Sequence, residues 1–169
     1  MFVILVAMEK EAKHINCPNA KVIVTGIGVN NVINTLSRAI ANGEIKLTDR
    51  IINVGYAGST KYDLGQIISV NKSKRYKPSV TVNEGYHKLQ VCYIDKVDDC
   101  ITADDFVESA DDVIPIADME LFYICAFGFK DIMAFKIVSD NLNYKNYESF
   151  NPTEAWERMN YILKEVTNE

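Results

Sequence analysis

Three carboxylates stand out by where they fall along the chain. Glu11 lies a few residues past an apolar run from Phe2 to Ala7, Glu120 follows a short apolar stretch near residue 115, and Asp140 ends a run that begins at Asp131. Tyr56, Ala57 and Gly58 fall immediately past a further run from Arg50 to Val54. In open α/β sheets, ligands bind outside the carboxyl ends of the strands, so all of these residues have access to one rim. Carboxylates on such a rim are suited to proton transfer. Each also has a plain structural reading. Glu11, within Glu-Lys-Glu-Ala-Lys, suits a solvated helix. Glu120 opens a helix whose next seven residues are apolar, where an unpaired carboxylate is expensive. The favourable field of a helix N-terminus is the competing account. Asp140 suits a turn cap before Asn141 and Asn143.

The elements that must position these residues alternate. Phe2 to Ala7 is β-branched and apolar throughout, the pattern of a strand buried on both faces, and the segment after Met8 favours helix. Val22 to Thr25 predicts a second strand, broken by Gly26-Ile27-Gly28. Val29, Val32, Ile33, Leu36 and Ile40 then repeat at helical spacing until Gly43. Arg50 to Val54 predicts a third strand, and Gln66 to Val70, Leu89 to Ile94, Val113 to Ala117 and Asp131 to Val138 predict four more. Met119 to Phe129 is apolar almost all round, as in a helix packed beside a sheet, and a last helix after Pro152 carries Trp156, Met159, Leu163 and Val166 on one face. Residues 71–88 and 95–112 are polar and turn-rich and read as excursions from the sheet. This alternation argues for a layered α/β fold with a parallel or mixed sheet.

Composition excludes several classes. With 169 residues the chain reads as one domain over residues 1–169, long enough to bury about 70% of its surface without staples. Hydrophobic residues at 48% and charged residues at 24% rule out a disordered or low-complexity chain. The net charge of -5 disfavours a nucleic-acid partner, and only Lys72 to Lys77 is locally basic. The apolar start is too short for a membrane span and lacks the features of a leader, so a cytoplasmic protein is expected. Cys17, Cys92, Cys100 and Cys125 form no C-x-x-C pair and do not cluster with the two histidines, so no metal is expected and free thiols are the default. Gly26-Ile27-Gly28 lacks the third glycine of a dinucleotide fingerprint, so NAD is not expected either.

Six segments together resemble a known family. Ala7-Met8-Glu9-Lys10-Glu11, Thr25-Gly26-Ile27-Gly28, Ile51-Ile52-Asn53-Val54-Gly55-Tyr56-Ala57-Gly58, Ala103-Asp104-Asp105-Phe106-Val107, Ala117-Asp118-Met119-Glu120 and Lys136-Ile137-Val138-Ser139-Asp140 occur in the order seen in 5′-methylthioadenosine/S-adenosylhomocysteine nucleosidases. That group belongs to the nucleoside phosphorylase/hydrolase superfamily. The resemblance implies a three-layer αβα fold around a mixed central sheet. It implies hydrolysis of a purine nucleoside with release of free base, without a cofactor. Glu11 matches the glutamate that activates water, Asp140 the aspartate that protonates purine N7, and Glu120 the glutamate that holds the ribose hydroxyls. Met119 matches the residue packed on the sugar, Phe106 the aromatic on the base, and Val107 a residue whose backbone reads the purine edge. Ser139, Ala57 and Gly58 match pocket-lining positions, and Tyr56 stands beside the water site where a small hydroxyl residue is usual.

The chemistry suits these types. An N-glycosidic bond breaks through an oxocarbenium-like state, and a purine leaves poorly as an anion. Asp140 must therefore be protonated, which burial favours, while Glu11 must be ionised to accept a proton from water. Phosphorylases of this group carry arginines for phosphate, one just ahead of the glycine-containing segment. Here that place is Asn53, so water is the expected nucleophile, and Lys10 and Lys13 read as solvated helix charges. A phosphate-dependent phosphorylase and a catalytically silent nucleoside-binding relative are the alternatives. The resemblance also implies a homodimer, for which Tyr62, Tyr76 and Tyr86 are exposed candidates.

Overall fold

A computed structural model describes residues 1–76, 85–91, 94, 96–108 and 113–168. The elements run β1 (Phe2–Val6), α1 (Glu9–Ala12), β2 (Ala20–Val24), α2 (Gly28–Ala41), β3 (Arg50–Gly58), β4 (Ile67–Arg75), β5 (His87–Lys88), β6 (Val97–Thr102), β7 (Ile116–Asp118), α3 (Leu121–Ala126), β8 (Asp131–Asp140), α4 (Tyr144–Ser149) and α5 (Thr153–Thr167). One mixed sheet takes all eight strands in the order β2-β1-β3-β7-β6-β4-β5, with β8 paired to both β3 and β4. The β2, β1, β3 and β8 segment is parallel, so the carboxyl ends of β1, β3 and β8 lie together.

Alternation along the central strands supplies two cores. Val3 and Leu5 of β1, Ile51 of β3 and Ala134 and Val138 of β8 pack with Val32 and Leu36 of α2 and Leu121 and Ile124 of α3. Ile4 and Val6, Ile52 and Val54, and Phe135 and Ile137 pack with Trp156, Met159 and Leu163 of α5. Because side chains on a strand point to alternate faces, the two sets must lie on opposite sides of the sheet. The expected face of α5 is the one it buries, with Trp156 1% exposed.

Several expectations need correction. β3 does not end at Val54 but runs on to Gly58, so the glycine-containing segment is strand rather than loop. Of the strand expected over Leu89 to Ile94, the described residues contribute only a bridge from Gln90 to Met133. The polar stretch after residue 95 is no excursion at its start, because β6 joins the sheet between β7 and β4. Its acidic pair is neutralised from neighbouring elements, Asp98 by Lys61 and Tyr62 and Asp99 by Lys74, which leaves Cys100 and Thr102 to be buried. Helix α4 carries no apolar periodicity and went unforeseen. Of the three tyrosines expected on the surface, only Tyr86 is exposed. Tyr62 is half-buried against the first core, and its hydroxyl donates to Asp98. Tyr76 is half-buried as well.

Candidate active site

The three carboxylates meet. Glu11, Glu120 and Asp140 are all buried and line one cavity of about 450 Å³ at the carboxyl ends of β1, β3 and β8. Tyr56, Ala57, Gly58, Phe106, Met119 and Ser139 line it too. Val107 does not reach this wall. It lies in a small adjoining pocket with Phe106, Met119 and Asp140, packed against Ile114, Ala117 and Leu142.

Glu11 is not the solvated helix residue its neighbours suggest. The chain turns from β1 into α1 at Met8, and Glu11, in the first turn, folds back so that Oε2 accepts from the Met8 backbone N–H at 2.8 Å. Its Oε1 accepts from the Tyr56 N–H at 3.0 Å. Burial pushes the Glu11 pKa up, while these two N–H groups and the Lys136 charge pull against the rise. A base raised in this way takes a proton more readily than a free glutamate.

Asp140 is set by a register shift. β3 and β8 pair in step from Arg50 with Asp131 to Ala57 with Val138, and then Gly58 pairs with Asp140, so Ser139 is the extra residue. Such an insertion re-aims the side chains that follow it. The Asp140 carboxylate accepts from Ser139 Oγ at 2.9 Å and from the Leu142 N–H at 2.9 Å. The turn-capping and rim readings of this residue therefore hold together. Burial raises its pKa, opposed by those donors.

Glu120 stands at the N-cap position of α3, and its side chain reaches across to α2, where Oε1 accepts from the Gly28 N–H at 2.9 Å. Gly28 opens α2 with φ of 79°, a conformation that L side chains adopt only under strain. Burial, reinforced by the Asp118 charge and opposed by Lys136, pushes the Glu120 pKa up to about 7.

The glycines of β3 make room for these groups. A Cβ on Gly55 would lie 3.0 Å from Glu11 Oε1, and one on Gly58 would lie 2.7 Å from Asp140 Oδ1. Three positions along a strand span about 10 Å. The two carboxyls thus approach the cavity from separate points on one strand.

Aromatic rings form much of the wall. Phe106 meets Tyr144 edge-on at 5.7 Å and Tyr147 at 6.4 Å. Tyr56 sits edge-on to Tyr147, Phe150 and Trp156, and its hydroxyl accepts from Trp156 Nε1 at 2.8 Å. Burial pushes the Tyr56 phenol up to about 12, so it stays neutral. Its ring is directed toward α5 and α4.

Sequence reasoning missed six contributors. Tyr144 and Tyr147 come from α4, and their spacing of three places both on one helix face, which was the available signal. Lys10, expected to be a plain solvated charge, lines the cavity. Asp118 and Lys136 form an ion pair at its wall, 2.6 Å long and almost wholly buried. Asn53, read only as the absence of an arginine, donates through Nδ2 to the Leu5 carbonyl and keeps a buried Oδ1 with no partner among the described residues. Among the described residues no group of histidine, cysteine, aspartate and glutamate side chains is placed to hold a metal ion. Nor is any described helix long and apolar enough to cross a membrane.

The mixed sheet and the rim at its carboxyl edge define a class: the chain has the fold of the 5′-methylthioadenosine/S-adenosylhomocysteine (MTA/SAH) nucleosidases. It superposes on the Chlamydia trachomatis nucleosidase bound to MTA with a TM-score of 0.78 at 13% identity, over 99% of this chain and 97% of that one. The Streptococcus pneumoniae nucleosidase with the transition-state inhibitor MT-ImmA gives 0.77 at 16% identity, over 98% and 99%. The S-adenosylhomocysteine nucleosidase of Streptococcus pyogenes, in complex with 5-methylthiotubericidin, gives 0.75 at 15%, over 99% and 96%. No family model matches the sequence, and no curated protein does.

Proposed function

We propose that this cavity hydrolyses the N-glycosidic bond of a purine nucleoside of the methylthioadenosine or S-adenosylhomocysteine type and releases the free base. The observation that carries the reading is the convergence of Glu11, Glu120 and Asp140, buried around one cavity in a fold shared with MTA/SAH nucleosidases. Ligands of the matching structures, MTA and a transition-state inhibitor among them, fit the same chemistry.

Asp140, raised by burial, gives its proton to N7 as the bond from the sugar to the base breaks. Water attacks the anomeric carbon and yields its proton to Glu11, which burial has made the stronger base. Glu120 accepts from the ribose hydroxyls, an interaction that strengthens as positive charge grows on the sugar. Phe106 lies against the base and Met119 against the ribose. Val107 serves the purine edge from the adjoining pocket. Tyr56 contributes its N–H to Glu11, and its ring closes the wall behind the water. Asn53 brings no charge for phosphate.

The reading extends to a single domain over residues 1–169 with a three-layer αβα arrangement, supported by the two cores on opposite faces of the sheet. It extends also to a homodimer, for which light scattering is the test. The deciding experiment incubates the protein with methylthioadenosine, S-adenosylhomocysteine, adenosine and inosine, with and without phosphate. Base release independent of phosphate is expected, with Glu11→Gln lowering it about 100- to 10,000-fold. Release that requires phosphate overturns hydrolysis in favour of phosphorolysis. Tight binding of a nucleoside with no turnover overturns catalysis.

A further inference from the structure

The charge lining the cavity is lopsided. Four carboxylates, Glu11, Asp118, Glu120 and Asp140, face two ammonium groups, Lys136 and Lys10. Lys136 is committed to Asp118 at 2.6 Å. Lys10 has no carboxylate within ion-pair reach among the described residues. Its Nζ donates to the Tyr147 hydroxyl at 2.6 Å and lies 4.5 Å from the centroid of the Tyr147 ring and 5.7 Å from that of Tyr56. The Tyr147 hydroxyl in turn approaches Met8 Sδ at 3.6 Å. Lys10 is exposed, so α1 and α4 are joined at the mouth of the cavity by a cation that faces solvent.

We infer that Lys10 determines specificity by selecting nucleosides whose 5′ substituent ends in an acidic group. The inference rests on the nucleosidase reading. With the base against Phe106 and Asp140 and the ribose against Glu120 and Met119, the lining left for the 5′ end includes Met8, Ile27, Lys10, Tyr144 and Tyr147. Met8 and Ile27 suit the apolar stem of such a substituent. An ammonium has three donors, and Tyr147 takes one, so two remain for a carboxylate. Repulsion adds direction, because an anion directed inward would meet the carboxylates of the floor. That repulsion weakens with distance from the floor, and at the mouth the Lys10 ammonium attracts the anion, so the two together orient the substrate. The Tyr147 hydroxyl and ring hold the lysine over the opening, which reduces the side-chain freedom lost when an anion binds.

The test compares kcat/KM for adenine release from three 5′-thioadenosines: methylthio, carboxyethylthio and aminoethylthio. The acidic analogue is expected to exceed the basic one by about tenfold at low salt, with the gap shrinking as salt screens the mouth. Lys10→Met should close that gap, Lys10→Glu should reverse it, and Lys10→Arg should keep it. A Lys10→Met variant that loses all three substrates in proportion overturns the inference, and so does a wild-type protein indifferent to the three tails. Stimulation by inorganic phosphate that Lys10→Met abolishes also overturns it, because the lysine then serves a free anion. If none of the three releases base, the nucleosidase reading has failed. Calorimetric binding of the same analogues then decides the inference separately, an acidic preference lost in Lys10→Met supporting it and equal affinities sinking it.

Discussion

Lys136 Nζ lies 2.6 Å from Asp118 Oδ2, with the two side chains 2% and 0% exposed. The pair ties β8 to the end of β7 and to α3, since Asp118 also accepts from Thr102 Oγ1 at 2.6 Å and from the Leu121 N–H at 3.0 Å. Burial by itself would lower the Lys136 pKa, but the Asp118 charge, backed by Cys100 and Glu120, holds it above its ordinary value. Removing one partner leaves an uncompensated buried charge. Lys136→Met is therefore expected to cost about 3–5 kcal/mol. Urea unfolding checks this, and Asp118→Asn added to Lys136→Met should restore much of the loss. A single variant as stable as the wild type would show that water reaches the pair.

Glu120 links pH to both stability and activity. Its carboxyl is raised from 4.5 to about 7 in the fold, so the folded chain binds the extra proton between those values. This contribution is fully present below the unfolded pKa and is lost as pH rises through about 7. Urea midpoints near pH 5 and near pH 8 should differ less in Glu120→Gln than in the wild type. The rate has the opposite dependence on this group. If the ribose hydroxyls require the carboxylate, kcat/KM rises with pH through about 7 on the Glu120 limb, and Glu120→Gln removes that limb.

Gly58 measures how closely Asp140 is placed. A Cβ there would lie 2.6 Å from Leu142 Cδ2 and 2.7 Å from Asp140 Oδ1, so Gly58→Ala must displace the carboxyl or the leucine. The expected stability loss is about 1–3 kcal/mol. A misplacement of about 1 Å at a reacting group costs on the order of 100-fold in rate, so base release should fall by about that factor. Steady-state kinetics beside thermal unfolding separates the two effects. An activity loss no greater than the loss of folded protein would mean that the leucine alone moves.

Much of this molecule is legible in its sequence, because burial leaves a periodic imprint. Val3 to Val6 and Ile132 to Phe135 are apolar on both faces because their sheet is covered on both, and Trp156, Met159 and Leu163 recur at helical spacing because one side of α5 meets it. The positions of Glu11, Glu120 and Asp140 after apolar runs placed them at strand ends, and topology brings parallel strand ends together. Their surroundings could not be read in the same way. Glu11 looks solvated in its segment and is buried by the Tyr56 N–H, 45 residues distant. Lys10 has the same local neighbours and is brought to the cavity by Tyr147, 137 residues on. Gly55 and Gly58 resemble a loop in sequence but lie in a strand, where they keep Cβ atoms away from two carboxylates. β6 looked like a loop because Asp98 and Asp99 are acidic, and their partners Lys61, Tyr62 and Lys74 come from elsewhere in the chain. Periodicity reports only whether a face is covered. Which charge meets which, and hence what a carboxylate or an ammonium can do, is decided by contacts between residues far apart in the chain, and only the tertiary structure supplies them.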